Sequence, residues 1–506
     1  MKRIPHSKLS RRLLLLVIPF LCLSFAFLSK KSRTSIKLVH KTTEIETLIN
    51  RHIENKDFNG AILVAKEGKI IYQKGVGFAN MEWDIPNQID TKFRIGSITK
   101  QFTAMLIMQL AAENKIDLHT PISNYLPNYP KENADRITIH HLLTHSSGTP
   151  RNYDSPIQKK IRPDDQNPSE AVALFSGLPL EFTPGEKFSY SNAGYSVLGL
   201  IIETITQKSY EEVLDEQIFK PLGLQNSGYD KHRPLIKHRA SGYFSSWGDY
   251  YNSNYTDMSK PYAAGSLYST VEDLFLWDQA LYTDKLLPKT FMDLIFTKHI
   301  IDPDYNAHYG YGWNIKALPL GNSGEQIEAT VHDGVIDGFC AIISRMPSSN
   351  SSIILLSNVR RAPLNAITKA VNGILHDKTY DLPKKSLAFT LFNKITAEGI
   401  DEGLQSFEDL INNKDYYVAE DEFNIISYRL LEADKLPEAQ QVLLMGLQQF
   451  PEAFNLYDSL GEILRKMGNI KESIKNYKKS IELNPDNENG LRMLQEMGVG
   501  TDKIKK

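Results

Sequence analysis

Phe93-Arg94-Ile95-Gly96-Ser97-Ile98-Thr99-Lys100-Gln101-Phe102 is the stretch on which the reading of the fold turns. After Ser97 the apolar positions run almost all the way round a helix: Ile98, Phe102, Met105, Leu106, Ile107, Met108 and Leu110. A helix apolar on every side is buried in the middle of a domain. Asn114 offers a left-handed stop at its far end. Ser97 stands at the first turn, where a helix N-terminus favours developing negative charge. Lys100, three residues on, faces the same way and reaches the serine hydroxyl. A serine hydroxyl is a weak nucleophile that needs a neighbouring base. A desolvated lysine gives up its proton readily and fits that role. Ser-x-x-Lys alone is weak evidence, because about three copies arise by chance in a chain of this length. This copy differs because a solvated lysine has no place on a helix without a polar face.

Around this helix the chain alternates in a way that builds a sheet. Ala61–Ala65 and Ile70–Gln73 flank Lys66-Glu67-Gly68-Lys69, which predicts a β-hairpin. Phe339–Met346 and Ile353–Leu356 flank a Pro-Ser-Ser-Asn-Ser-Ser turn and predict a second. Thr43–Ile53 and Pro363–His376 read as helices outside the two hairpins, and a long, mostly helical region lies between them. The expected architecture is a sheet closed by both ends of one domain, with a helical subdomain inserted.

Two further motifs accompany Ser97 and Lys100. Tyr190-Ser191-Asn192 follows a Pro184-Gly185 turn and a short predicted strand, and opens a helix. A tyrosine there could shuttle protons, and Asn192 could donate to a substrate carbonyl. Val331-His332-Asp333-Gly334-Val335 closes an apolar strand before the late hairpin. Gly334 lets a substrate backbone approach closely, and His332 would set a donor or partial positive charge opposite a carboxylate or carbonyl. Taken singly, each is as well explained by core packing and capping.

In this order and on these elements, the three motifs resemble the serine β-lactamase and penicillin-binding-protein families. The branch most like it holds the class C β-lactamases and D-alanyl-D-alanine carboxypeptidases, whose middle motif is Tyr-x-Asn. The resemblance spans about Glu44 to Ile374 and includes Ile137–Gly148, Lys115–Leu118 with Pro121 and Tyr125–Pro127, and Ala263–Leu267. It implies an α/β (α+β) transpeptidase-like fold, an antiparallel sheet flanked by helices. It implies a serine hydrolase working through an acyl-enzyme on a peptide, amide or ester, with no metal or organic cofactor. Ser97 would attack, and Lys100 and Tyr190 would share the acid and base work. The N–H groups of Ser97 and Val335 would form the oxyanion hole, and Asn192 would hold the acyl side chain. The departure is His332 where β-lactamases carry the lysine of Lys-Thr-Gly. A histidine is mostly neutral at pH 7, so weak or no β-lactam hydrolysis is expected. A rival reading makes the chain a penicillin- or peptidoglycan-binding scaffold of the envelope.

The histidines at 140, 141 and 145 invite a zinc reading, but they lack an acidic partner and match a structural helix of the resembled family. Asp302, Asp304 and His308 are read equally plainly. Tyr309-Gly310-Tyr311-Gly312-Trp313 reads as a strand near the site, either a binding wall or core. Cleft walls are expected from the loops 150–162 and 241–261; Tyr243, Phe244, Trp247, Tyr250 and Tyr251 either make an apolar or sugar-stacking face or simply pack on the surface.

The remaining features bound the chain's class. Of 506 residues, 41% are hydrophobic and the net charge is −2, so no basic field exists to hold nucleic acid. Cys22 and Cys340 are the two cysteines; Cys22 lies in the N-terminal apolar run, which predicts one thiol and no disulfide in the folded part. Lys2, Arg3, Lys8, Arg11 and Arg12 precede an unbroken apolar run, Leu13 to Leu28. That is an export pattern, either cleaved or kept as an inner-membrane anchor, and it places the rest outside the cytoplasm. Residues 1–35 form this segment, 36–376 the hydrolase domain and 377–390 a polar linker. From 391 to 500 the sequence is helical and repeats: Leu430 and Leu464, Pro451 and Pro485, Ser427 and Gly461, Ala439 and Ser473, and Leu443 and Tyr477 are each 34 apart. That period is the tetratricopeptide signature. Glu420–Pro451 and Asn455–Pro485 form two units, and Ile400–Asn413 half of a degenerate first one. So short an array is expected to dock on the hydrolase or a protein partner.

Overall fold

The computed structural model describes residues 38–150, 167–246 and 249–500. The expected export segment, most of the 150–162 loop and Trp247 lie outside the described residues. The chain divides into two compact units between Leu382 and Pro383, within the stretch read as a linker.

The first unit is built on eight antiparallel strands. They are β1 (Gly60–Lys66), β2 (Lys69–Val76), β3 (Ile300–Asp302), β4 (Ala307–Tyr309), β5 (Asn314–Pro319), β6 (Gln326–Ile336), β7 (Phe339–Met346) and β8 (Ser351–Ser357). Their order across the sheet is β3-β4-β5-β6-β7-β8-β1-β2. The two expected hairpins are present, and β1 pairs with β8 from Gly60↔Ser357 to Ala65↔Ser352. At the first hairpin turn Glu67 and Gly68 both have positive φ (53° and 70°), the primed turn that matches strand twist.

Period-2 alternation splits the side chains of β1 between two cores. Ala61, Leu63 and Ala65 join one apolar cluster, and Ile62 and Val64 join the other. The second cluster holds Ile45, Leu48 and Ile49 from the helix at 38–54, with Ile367, Val371 and Ile374 from the helix Leu364–Leu375. The first holds helix α1 (Thr99–Ala112), helix α2 (Ile139–Leu143), helix α3 (Asn192–Thr206) and helix α4 (Val271–Ala280). In α1 every residue except Gln109 and Ala112 is buried, as the all-round apolar pattern requires. Asn114 takes the left-handed conformation after it, φ 55°. Cys340 is a buried free thiol, pushed up to about 11 by burial.

Two local expectations are corrected and a third holds. No strand precedes Tyr190; the chain there is irregular and is held by single bonds, such as that from the Ser189 N–H to the His145 carbonyl. Tyr309 ends β4, and Gly310 to Trp313 form a turn whose tight approach to Ile295 needs Gly310. His332 to Val335 lie at the end of β6, as expected, and β6 pairs with β7 from Thr330↔Arg345 to Ile336↔Phe339.

The second unit is helical: Leu387–Glu398, Ile400–Leu410, Glu420–Glu432, Leu436–Gln449, Phe454–Lys466, Ile470–Leu483 and Glu488–Glu496. The first four residues of the Leu387 helix lie in the stretch read as a linker, which is therefore shorter than expected. Small residues stand at helix crossings: a Cβ on Gly461 would lie 3.0 Å from the Tyr477 ring, and one on Gly446 2.9 Å from Phe423. Tyr428 donates to Glu462 across one 34-residue period.

On the core face of β7, Arg345 forms a fully buried ion pair with Asp278 of α4, its guanidinium ringed by Tyr282, Phe296 and Trp313. Removing one partner strands a charge in the core. Arg345→Met is therefore expected to cost about 3–5 kcal/mol in urea unfolding, and Arg345→Met/Asp278→Leu distinctly less.

Candidate active site

Gly96 turns the chain into α1 with φ 50°, a conformation that favours glycine. Ser97 follows in the short 3₁₀ turn Gly96–Ile98 and is half-buried at the mouth of the helix. Strand β6 lies backbone to backbone against this turn. A Cβ on Gly334 would fall 1.9 Å from the Ile95 carbonyl oxygen and 3.1 Å from Ser97 N, and one on Gly96 2.8 Å from Val335 N. The amides of Ser97 and Val335 thus belong to two segments in direct contact. The Val335 side chain points outward and is 50% exposed.

One helical turn on, Lys100 is 0% exposed. Its Nζ lies 3.1 Å from Ser97 Oγ, 2.8 Å from Asn192 Oδ1 and 2.8 Å from the Ala264 carbonyl oxygen. Burial holds the amine well below the ordinary lysine value, against an opposing pull from the Asp333 carboxylate. A neutral amine has two N–H groups and one lone pair. Asn192 Oδ1 and the Ala264 carbonyl can only accept, so they take both N–H groups, and the lone pair is left for the Ser97 proton. Ser191 caps α3, its Oγ accepting the Gly194 N–H at 3.1 Å, and this cap sets Asn192 at the helix mouth. The Lys100 amine sits 4.8 Å from the centre of the Tyr190 ring.

The structure therefore brings Ser97, Lys100, Tyr190 and Asn192 together and lays Gly334 and Val335 beside them. His332 has a different place. It is 2% exposed, with Nε2 3.1 Å from Tyr309 Oη and Nδ1 2.6 Å from the Asp333 carbonyl oxygen. Burial pushes it down to about 4; Asp333 opposes this and Lys100 reinforces it. The imidazole is thus held neutral, as expected of a histidine at pH 7; of the two roles read for it, the partial positive charge is not supported, and both nitrogens are bonded within the protein. Sequence reasoning missed the Ala264 carbonyl, a backbone group with no side-chain signal. It also left Tyr309 between wall and core, and gave His145, whose ring stacks on Tyr190 at 4.2 Å, no part in the site. Tyr243 is core instead of cleft wall: it is buried and its Oη accepts the Met81 N–H.

A half-buried serine beside a buried amine whose value burial holds well below the ordinary one, set at the mouth of the central helix, defines a serine hydrolase. The chain belongs to the Beta-lactamase family, whose sequence profile matches residues 45–375. A tetratricopeptide repeat profile matches 454–487. A putative penicillin-binding protein of Bacillus subtilis, PbpX, is 29% identical over 69% of this chain and 82% of its own length. The crystal structure of a penicillin-binding protein from Bacillus halodurans is 30% identical, covering 65% of this chain and 98% of that one, with a TM-score of 0.55. A D-amino acid amidase of Ochrobactrum anthropi SV3 is 25% identical over 67% and 98%, with a TM-score of 0.57.

The depressed Lys100 value sets a pH dependence. The free amine is the competent form, so activity is lost only as pH falls through the lowered value. Acylation by a fluorophosphonate is expected to show no rise through about pH 10–11, where an ordinary lysine loses its proton. Lys100→Arg, charged at every accessible pH, should slow acylation about a hundred- to ten-thousand-fold.

Proposed function

We propose that the chain is an exported hydrolase that opens an amide, peptide or ester bond through an acyl-enzyme on Ser97. The observation that carries this is the buried Lys100 amine, 3.1 Å from Ser97 Oγ with both its N–H groups taken elsewhere. Ser97 attacks the carbonyl as Lys100 takes its proton. The oxyanion forms between the Ser97 and Val335 amides, a role supported by the backbone contact of Gly334 and Gly96. Tyr190 and Lys100 return a proton to the leaving group, and water then cleaves the ester. Asn192, at the mouth of α3, meets the acyl side chain. Gly334 leaves room for the substrate backbone.

A neutral His332 supplies no full charge for the carboxylate of a penicillin or cephalosporin, which favours other acyl substrates over β-lactams. The D-amino acid amidase likeness makes D-amino acid amides the first compounds to try. Export rests on the basic and apolar N-terminus, Leu13 to Leu28 as its apolar part, and the helical repeats of 391–500 suit a protein partner. Fusion of residues 1–35 to alkaline phosphatase should give a reporter active outside the cytoplasm; an inactive fusion would remove the export reading.

The deciding experiment treats the purified full chain and Ser97→Ala with a fluorophosphonate and with a fluorescent penicillin, read by intact mass. Fluorophosphonate labelling of the wild type, absent in Ser97→Ala, is expected, with D-amino acid amides or simple esters turned over faster than nitrocefin. No label from either reagent would overturn the hydrolase reading in favour of a scaffold.

A further inference from the structure

His145 holds Tyr190 from both sides of the chain. Its carbonyl accepts the Ser189 N–H at 2.8 Å, and its ring Nδ1 accepts the Ser191 N–H at 3.0 Å. Its ring lies against the Tyr190 ring, with centroids 4.2 Å apart and planes inclined by 32°. The residue follows α2, is buried, and has φ 57°, a left-handed conformation uncommon outside glycine.

The protons of this cluster are fixed from two ends. A backbone N–H can only donate, so His145 Nδ1 is the bare nitrogen and Nε2 carries the hydrogen. That hydrogen faces Tyr309 Oη at 3.2 Å. At the other end a carbonyl can only accept, so His332 Nδ1 carries the hydrogen that meets the Asp333 oxygen. His332 Nε2 is then bare and takes the Tyr309 O–H. Both ends give Tyr309 the same part: it accepts from His145 and donates to His332. The chain of bonds has one direction, with two neutral imidazoles held as opposite tautomers. It ties the Tyr190 corner to β6, the strand that lies against the Ser97 turn.

We infer that His145 and Tyr309 are positioning residues of this hydrolase, which hold the Tyr190 ring over the Lys100 amine through a one-way hydrogen-bond chain anchored on β6. The inference rests on the serine-hydrolase reading. Neither residue touches the reacting atoms; each acts through Tyr190. Tyr309→Phe takes one oxygen from the middle of the chain and leaves both rings packed. His145→Asn keeps an acceptor for the Ser191 N–H, and His145→Ala does not.

The test measures turnover of a p-nitrophenyl ester by the full chain, with competent sites counted by fluorophosphonate titration. Tyr309→Phe should lower kcat per titrated site about tenfold or more, with KM within about threefold of the wild type. His145→Asn should retain about ten times the per-site kcat of His145→Ala. A Tyr309→Phe enzyme with wild-type kcat per site overturns the inference while the hydrolase reading stands. So does a loss confined to the number of titratable sites, which marks a packing role only. A wild-type chain that takes no label overturns the hydrolase reading and this inference with it.

Discussion

One amine without water governs the geometry of this molecule. Lys100 sits on a helix that is apolar all round, and a charged ammonium there would lack the solvation it needs. The neutral form is tolerable only if its two N–H groups find acceptors. That requirement draws the mouth of α3 and the Tyr262–Ala264 turn onto one point, because Asn192 Oδ1 and the Ala264 carbonyl come from elements far apart in sequence. The remaining lone pair can only face Ser97. Placement of the Ser97 hydroxyl and depression of the lysine value are therefore one event, and both follow from where α1 is buried.

Much of this is legible in the sequence because it is local. Ser97 and Lys100 share a helix turn, and the apolar residues around them announce burial without reference to any partner. Both central hairpins are legible because alternation and turn residues lie close together along the chain, within 60–76 and 339–357. The repeats are legible because a 34-residue period is visible along the chain, and the structure places Ser473 and Tyr477 against Gly461 as that period requires. What stays hidden is the environment of His332. Its partner Tyr309 is brought near by the sheet order β4-β5-β6, and His145 comes from the helical layer. Local spacing does not report a contact made by strand order. The Ala264 carbonyl is hidden for a different reason, since every residue has one.

The same distinction explains the aromatic residues. Tyr243, read as cleft wall, is a core residue because strand pairing, which local composition does not report, turns it inward. Tyr309 looked like wall or packing and carries hydrogen bonds to two histidines. In both cases the side chain's chemistry was evident and its direction was not, because direction is set by the register of strands many residues away.

The pairing of β1 with β8 closes the sheet with residues nearly three hundred positions apart, from Gly60↔Ser357 onward. Until the β8 segment joins the fold, β1 keeps one edge open, and the core on both faces of the sheet stays incomplete. A nascent chain therefore cannot finish the hydrolase unit early, and non-local pairing of this kind is slow. An exposed, strongly apolar strand such as β1 must be shielded meanwhile from pairing with other chains.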